Sequence, residues 1–251
     1  MHVLASRDRR ICFLGDSFIN GTGDPDCLGW TGRICAMAQQ RGRAGTAGHA
    51  ATASSAVTNA PGTDTPGTHP PVTNAPGTNY NATNYNATNY NVTYYNLGIR
   101  RETSAELRQR WRSEVQLRLP EDCDGRLVFS FGTNDTTWEN GQPRVALADS
   151  LIHARSILTV AQRQYPVLLV SPPPIADAGQ NDRTWVLIEA LESLCKSLAI
   201  PFLDVFTPLQ CYTPWLDEVK AFDGAHPGSQ GYGYLAELVA TWSAWQGWWS
   251  E

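Results

Sequence analysis

Short apolar runs alternate with amphipathic helical patterns along most of this chain, and this alternation restricts the fold more than any other feature. Each run has the length of a buried strand, and the runs occupy residues 11–14, 127–131, 167–170 and 202–206. Apolar residues recur every three or four positions, as in helices with one buried face, over residues 147–161, 188–198 and 235–245. A further helix is expected after Thr103, because Thr103 and Glu106 have the spacing of a capping box. The alternation predicts an α/β fold, a three-layer α/β/α sandwich with a parallel sheet.

A low-complexity repeat interrupts this pattern at about residues 45–92. Threonine recurs at every fifth position from Thr58 to Thr93, and prolines are concentrated in the first half of the stretch. Because five is odd, successive threonines of an extended strand would point to opposite faces of a sheet, so one long amphipathic strand is disfavoured. We therefore predict a single domain over residues 1–251 with this stretch as an irregular insertion, followed by a strand around residues 92–97.

Charge, hydropathy and cysteine spacing exclude several classes of protein. The chain of 251 residues has a formal net charge of −5 and therefore lacks the basic surface that neutralises nucleic acid phosphates. It has no apolar stretch of the roughly 18 residues that span a membrane and no cleaved export signal, which predicts a soluble cytoplasmic protein. The six cysteines show no CxxC spacing, so neither a metal site nor a disulfide framework is expected.

Two polar blocks contain the residue types of nucleophilic catalysis. Ser17 directly follows the first predicted strand, at the sheet edge where open parallel sheets bind ligands. A serine in this place is also a common helix cap. His226 lies in a loop before the last helix, three residues after Asp223. Because histidine can take the proton of a serine hydroxyl while an acid accepts a hydrogen bond from its other ring nitrogen, the three residues predict a catalytic triad.

Four segments, in the order FLGDSFINGTGD, NLGIRRETS, FGTND and DGAHPGSQGY, extend this pattern over nearly the whole chain outside the repeat. They resemble the characteristic blocks of the GDSL-type, or SGNH, hydrolases. The resemblance implies that Ser17 is the nucleophile and that Asp223 and His226 complete the triad, with no cofactor. It also implies an oxyanion hole formed by the backbone N–H groups of Ser17 and Gly98 and the side chain of Asn134. The family fold is flavodoxin-like with sheet order 2-1-3-4-5, so Ser17, Gly98 and Asn134 would follow neighbouring strands.

The resemblance implies hydrolysis of small-molecule carboxylic esters through an acyl-enzyme, with a broad esterase or lysophospholipase-like preference for short acyl chains. Residues 136–138 and 172–175 follow the third and fourth sheet strands and are expected to line the acyl or alcohol pocket. Two alternatives stay open at this point. One is an acyltransferase on the same fold, and the other is an assembly or scaffold protein that uses the Tyr- and Asn-rich repeat.

Overall fold

The computed structural model describes residues 8–50 and 91–249. Its strands, in chain order, are β1 (Asp8–Gly15), β2 (Asn91–Gly98), β3 (Asp124–Ser130), β4 (Trp138–Glu139), β5 (Gln142–Pro143), β6 (Val167–Val170) and β7 (Phe202–Leu203). Five of them form a parallel sheet in the order β2-β1-β3-β6-β7, while β4 and β5 pair as a separate antiparallel hairpin. When only the strands of the large sheet are counted, the order is 2-1-3-4-5, which confirms the predicted fold.

Helices cover both faces of the sheet. They are α1 (Ser17–Asn20), α2 (Gly29–Ala50), α3 (Ser104–Gln116), α4 (Leu147–Ala161), α5 (Ala178–Leu198), α6 (Phe206–Gln210), α7 (Thr213–Ala221), α8 (Ser229–Thr241) and α9 (Ser243–Gly247). Along β1, Ile11 and Phe13 pack with residues of α2, α7 and α8 in one apolar core, whereas Cys12 and Leu14 pack with α3, α4 and α5 in another. Successive side chains of a strand point to opposite faces, so a continuous apolar run is what a doubly covered sheet requires.

The capping box at α3 is confirmed, but two other boundaries differ from the sequence prediction. The run at 202–206 contributes only Phe202–Leu203 to the sheet, because β7 pairs with just the last two residues of β6 before α6 begins. The helical pattern at 235–245 is broken at Trp242, which is extended with φ −68° and ψ 126°. This break turns the chain so that Trp245 and Trp248 are buried against the core, and tertiary packing overrides the helical period.

The register of the central strands brings the loops that follow them to one edge of the sheet. Gly15 at the end of β1 lies opposite both Gly98 at the end of β2 and Ser130 at the end of β3. Asn91 pairs with Asp8 at the opposite edge. The expected insertion at about 45–92 is described only at its ends, since α2 continues to Ala50 and residues 51–90 lie outside the described residues. None of the helices within the described ranges is long and apolar enough to cross a membrane.

Candidate active site

Ser17 lies at the turn from β1 into α1. Gly15 ends the strand with φ 152°, and a Cβ there would lie 1.7 Å from the carbonyl oxygen of Ser130, so the turn requires glycine. Asp16 caps α1 by accepting a backbone N–H of the first turn at 3.0 Å, and Ser17 is the first residue of the helix. The helix ends after one turn at Gly21, with φ 83°. Ser17 is therefore held at the carboxyl edge of the sheet.

His226 connects Ser17 to Asp223. Its Nε2 lies 2.7 Å from Oγ of Ser17, and its Nδ1 lies 2.7 Å from Oδ2 of Asp223. The other carboxylate oxygen accepts the backbone N–H groups of Ala225 at 3.0 Å and His226 at 2.9 Å. Although burial acts to raise it, these hydrogen bonds hold the pKa of Asp223 below its ordinary value. The ionised carboxylate favours the proton on Nδ1, which leaves Nε2 to accept the proton of Ser17.

The imidazole of His226 packs against the ring of Phe18, which in turn packs against Trp215. The ring centroid of Phe18 lies 5.0 Å from that of His226 and 6.2 Å from that of Trp215, which is fully buried. The hydroxyl of Tyr232 donates at 2.8 Å to a backbone carbonyl in the loop after α1. Only 7% of His226 and 4% of Ser17 are exposed, so both side chains have little freedom to change rotamer.

Gly98 is the point at which β2 meets α1. A Cβ at this position would lie 2.2 Å from the backbone nitrogen of Asn20 and 2.7 Å from the carbonyl oxygen of Asp16, so the close approach requires glycine. Its backbone N–H donates to Oδ1 of Asn96 at 3.1 Å. The amide of Asn96 also donates to the carbonyl of Ile19 at 2.7 Å, which ties β2 to α1. Sequence reasoning missed Asn96, and its only signal was its place in the NLGIRRETS segment, two residues before Gly98.

The side chain of Asn134 lies beside the turn that follows β2. Its Nδ2 donates to the carbonyl of Glu102 at 3.0 Å, and the amide makes no second hydrogen bond within the described residues. Arg101, in the same turn, has φ 64°, an uncommon value for a residue with a side chain. No acceptor for the backbone N–H of Arg101 is present among residues 8–50 and 91–249. Asn134 therefore borders a turn with an unpaired N–H that the sequence did not indicate.

Asp135 fixes the loop that carries Asn134. Its Oδ1 accepts the backbone N–H of Ser104 at 2.7 Å, and its Oδ2 accepts the hydroxyl of Ser150 at 2.7 Å. Ser104 begins α3 and Ser150 lies in the first turn of α4. One buried carboxylate thus joins the start of two helices to the Asn134 loop.

A model of the GDSL-like lipase/acylhydrolase family matches residues 57–234, which is more than half of the chain. The chain belongs to this family. The matched range contains Gly98, Asn134, Asp223 and His226, whereas Ser17 precedes it. Membership in the GDSL-like lipase/acylhydrolase family confirms the predicted recognition and shows that the protein is a hydrolase.

Solved structures share the fold of this GDSL-like chain. A lipase/acylhydrolase from Enterococcus faecalis is 19% identical with a TM-score of 0.58, and the match covers 92% of this chain and 93% of that one. A catalytic mutant of an acetylxylan esterase from Geobacillus stearothermophilus is 14% identical with a TM-score of 0.61, over 96% of this chain and 97% of that one. Identities this low show the fold alone. No curated protein matches this chain.

A mostly apolar cavity of about 210 Å³ borders the loop that follows β3 in this GDSL-like hydrolase. Its lining comes from this loop, the hairpin, α4 and α5, and includes Thr136, Pro143, Leu147 and Leu187. Arg183 fixes the loop, because its Nε donates to the carbonyl of Thr136 at 2.9 Å and its guanidinium lies 5.2 Å from the ring centroid of Trp138. No cluster of side chains able to hold a metal ion is present in the described part of the chain.

Asp16 is a buried acid that directly precedes Ser17 in sequence. Its Oδ1 accepts the N–H of Phe18, whereas its Oδ2 is buried and has no hydrogen-bond partner within the described ranges. Burial raises the pKa of Asp16 to about 7, the N–H of Phe18 opposes this rise, and the carboxylates of Asp135 and Glu102 add to it. Asp16 is therefore protonated in the folded protein at mildly acidic pH.

The unaltered protein is expected to become less stable as the pH rises, because the buried Asp16 must ionise. The substitution Asp16→Asn should remove this loss of stability. Asp16 ionises near pH 3.8 in the unfolded chain and near pH 7 in the folded protein. The resulting destabilisation of the folded state is therefore absent below pH 3.8 and complete above pH 7. One pH unit corresponds to about 1.4 kcal/mol, so between pH 5 and pH 8 the free energy of unfolding should fall by about 3 kcal/mol more in the unaltered protein than in the variant. Urea unfolding of both proteins at several pH values measures this difference. Parallel curves would show that Asp16 does not titrate in this range.

Proposed function

We propose that this protein hydrolyses carboxylic esters of small molecules through an acyl-enzyme formed on Ser17. The observation that carries the proposal is the pair of 2.7 Å contacts that link Ser17 to His226 and His226 to Asp223. The three residues come from the turn after β1 and from the loop between α7 and α8, and Ser17 and His226 are 209 positions apart in sequence. A serine, a base and an acid in this arrangement are what acyl transfer requires.

The first half of the reaction forms the acyl-enzyme. As Oγ of Ser17 bonds to the carbonyl carbon of the ester, Nε2 of His226 takes the hydroxyl proton and the carbonyl oxygen becomes an oxyanion. The oxyanion then re-forms the carbonyl, the bond to the alcohol breaks, and the imidazolium gives its proton to the departing oxygen. Water repeats the sequence and releases the acid. Throughout, Asp223 holds the ring through Nδ1 and stabilises its positive charge.

Three N–H groups are proposed to bind the oxyanion. Ser17 is the first residue of α1, so its backbone N–H has no acceptor within that helix. Asn134 contributes the amide hydrogen that Glu102 does not use. Gly98 can contribute the third N–H group only when this N–H leaves the side chain of Asn96. The N–H of Arg101 has no acceptor in the described residues, so Arg101 is an alternative to Gly98 as the third donor. Donors that need no rearrangement stabilise a developing charge best.

The proposed substrates are esters with a short acyl group. The proposed acyl pocket is the apolar cavity of about 210 Å³ lined by Thr136, two residues after Asn134, and this volume suits a small acyl or alkyl group better than a long chain. The acetylxylan esterase that shares the fold acts, by its name, on acetyl esters, which supports the same choice. Of the residues expected to line the pocket, Thr136 contributes to this lining, whereas residues 137, 138 and 172–175 do not.

A series of p-nitrophenyl esters from acetate to decanoate tests the proposed function. The highest kcat/KM is expected at two to four acyl carbons. A fluorophosphonate probe should label one residue, Ser17, and the loss of turnover should be proportional to the fraction of protein labelled. The matched control is the probe on Ser17→Ala, which should take up no label. Ester hydrolysis that continues after complete labelling, or label on another residue, would contradict the acyl-enzyme at Ser17.

A further inference from the structure

The helix that follows the histidine loop begins without a cap of its own. Gly228 is the N-cap residue of α8 and has no side chain to accept a hydrogen bond. The first N–H groups of any α-helix lack acceptors within it. In α8 the carboxylate of Glu218 accepts them: Oε2 lies 2.9 Å from the nitrogen of Gly228 and 2.8 Å from that of Gly231, and Oε1 lies 3.2 Å from that of Gln230. One carboxylate on the preceding helix therefore caps α8.

Two glycines of the DGAHPGSQGY segment allow this close approach. A Cβ on Gly228 would lie 3.0 Å from Oε1 of Glu218. A Cβ on Gly231 would lie 3.1 Å from Oε2 of Glu218 and 2.5 Å from Cβ of Pro227. The first turn of α8 therefore packs against Pro227, which directly follows His226 in the chain. The position of that turn therefore affects the position of His226.

Glu218 also lies at the other end of the loop. Its backbone carbonyl accepts the N–H of Phe222 at 3.1 Å, and Phe222 directly precedes Asp223. Both ends of the segment that carries Asp223 and His226 are thus attached to one residue. Arg33 of α2 is paired with Asp24, whose hydrogen bond is the main cause that raises the pKa of Arg33, and the Glu218 carboxylate makes the smallest contribution to this rise.

We propose that Glu218 is a positioning residue for the reaction and holds His226 where its Nε2 meets Oγ of Ser17. The inference rests on the proposed role of His226 as the general base. Hydrogen bonds from N–H groups to a carboxylate are stronger than those to a neutral acceptor, so three of them fix the loop firmly. A misplacement of about 1 Å lowers a reaction rate by as much as a hundredfold, so the loss of this anchor affects the chemical step.

Substitutions at Glu218 test the proposal. Glu218→Ala removes all three hydrogen bonds and is expected to lower kcat by about tenfold to a hundredfold with KM within twofold. Glu218→Gln keeps an oxygen that can accept the two short bonds from Gly228 and Gly231, so kcat should fall only a few-fold. The matched control is Asp217→Asn, because Asp217 is an exposed acid on the same helix with no hydrogen bond or ion pair in the described ranges; it should keep full activity.

A stability control separates positioning from a general weakening of the fold. Asp124 pairs with Arg9 at 2.8 Å and with Arg126 at 3.0 Å, at the sheet edge opposite Ser17, so Asp124→Asn weakens the fold without contacting the histidine loop. Activities are compared at temperatures equally far below the Tm of each protein. Glu218→Ala should then remain at least tenfold less active than Asp124→Asn. Equal activities would overturn the proposal.

Proton NMR supplies a readout that needs no substrate. The Nδ1 proton of His226, in its hydrogen bond to Asp223, should give a low-field resonance that is shifted or broadened in Glu218→Ala and unchanged in Asp124→Asn. An unchanged resonance together with unchanged kcat would overturn the positioning role. If Glu218→Ala does not fold, Glu218→Gln replaces it with its own smaller expected effect, a few-fold loss of kcat and a shifted resonance, and no change in either would overturn the proposal. Absence of ester hydrolysis by the unaltered protein would overturn the proposed function, and the resonance would still decide whether Glu218 positions His226.

Discussion

Ser17→Ala and His226→Ala are each expected to lower kcat for a p-nitrophenyl ester by about 10⁴-fold to 10⁶-fold. Each substitution removes one end of the same proton transfer, because Nε2 of His226 is 2.7 Å from Oγ of Ser17. Without the serine the base has no nucleophile to activate, and without the base the hydroxyl stays protonated. The double variant should therefore be scarcely less active than either single one. Steady-state kinetics of the three variants measure the coupling.

The chain contains a matched control for this pair. His153 of α4 lies with its Nδ1 3.0 Å from the hydroxyl of Ser104, so it is a second histidine hydrogen-bonded to a serine. Nothing in the described residues orients its other nitrogen towards an acid, so His153→Ala is expected to keep kcat within a few-fold. Losses that multiply in the double variant Ser17→Ala and His226→Ala would mean that the two residues act in separate steps.

The fold could be predicted from the sequence because its main signals are local. Each apolar run of the sheet is short and continuous, and the Thr103 and Glu106 pair marks the start of a helix at the correct residue. Trp242 could not be predicted in the same way. Its neighbours continue a helical period, and the break exists because the burial of Trp245 and Trp248 contributes more than another helical turn would.

The residues proposed to carry out the chemistry could be found from the sequence, whereas those proposed to hold them in place could not. Ser17, Asp223 and His226 belong to segments with a recognisable order and chemistry. Glu218 looks like an ordinary exposed acid of an amphipathic helix, because its three acceptor contacts are to backbone N–H groups and leave no trace in residue type. Asn96 was missed for the same reason, since its partners are mainly a carbonyl and an N–H group.

Gly98 illustrates a second limit of sequence reasoning. A glycine after a strand can present its N–H to a ligand, or it can let another part of the backbone come close. In this structure Gly98 lets α1 approach, and its N–H is paired with Asn96. The left-handed conformation of Arg101 in the next turn gives no signal in the sequence, because an arginine is not expected at positive φ.

Asn134→Ala is expected to lower kcat by about a hundredfold to a thousandfold, with KM little changed. One amide hydrogen of Asn134 is used by the carbonyl of Glu102, which leaves the other free for the proposed oxyanion. That hydrogen bond strengthens only as negative charge develops on the substrate oxygen, so it lowers the barrier without tightening the binding of the ester. Asn134→Asp, which replaces the amide donor by an acceptor of similar shape, should lose at least as much activity as the alanine variant.

Asn140→Gly is the matched control for this prediction. Asn140 is an exposed amide in the hairpin that follows the same loop, with φ 52°, so glycine preserves its conformation while the amide is removed. This variant should keep kcat and KM within twofold. A rise in KM with unchanged kcat in Asn134→Ala would assign Asn134 to substrate binding instead. A boronic acid inhibitor is a transition-state analogue, because its adduct with serine has the negative charge that an ester lacks. It should bind Asn134→Ala more weakly than the unaltered protein, by a factor close to the loss in kcat/KM. It should bind Asn140→Gly as tightly as the unaltered protein.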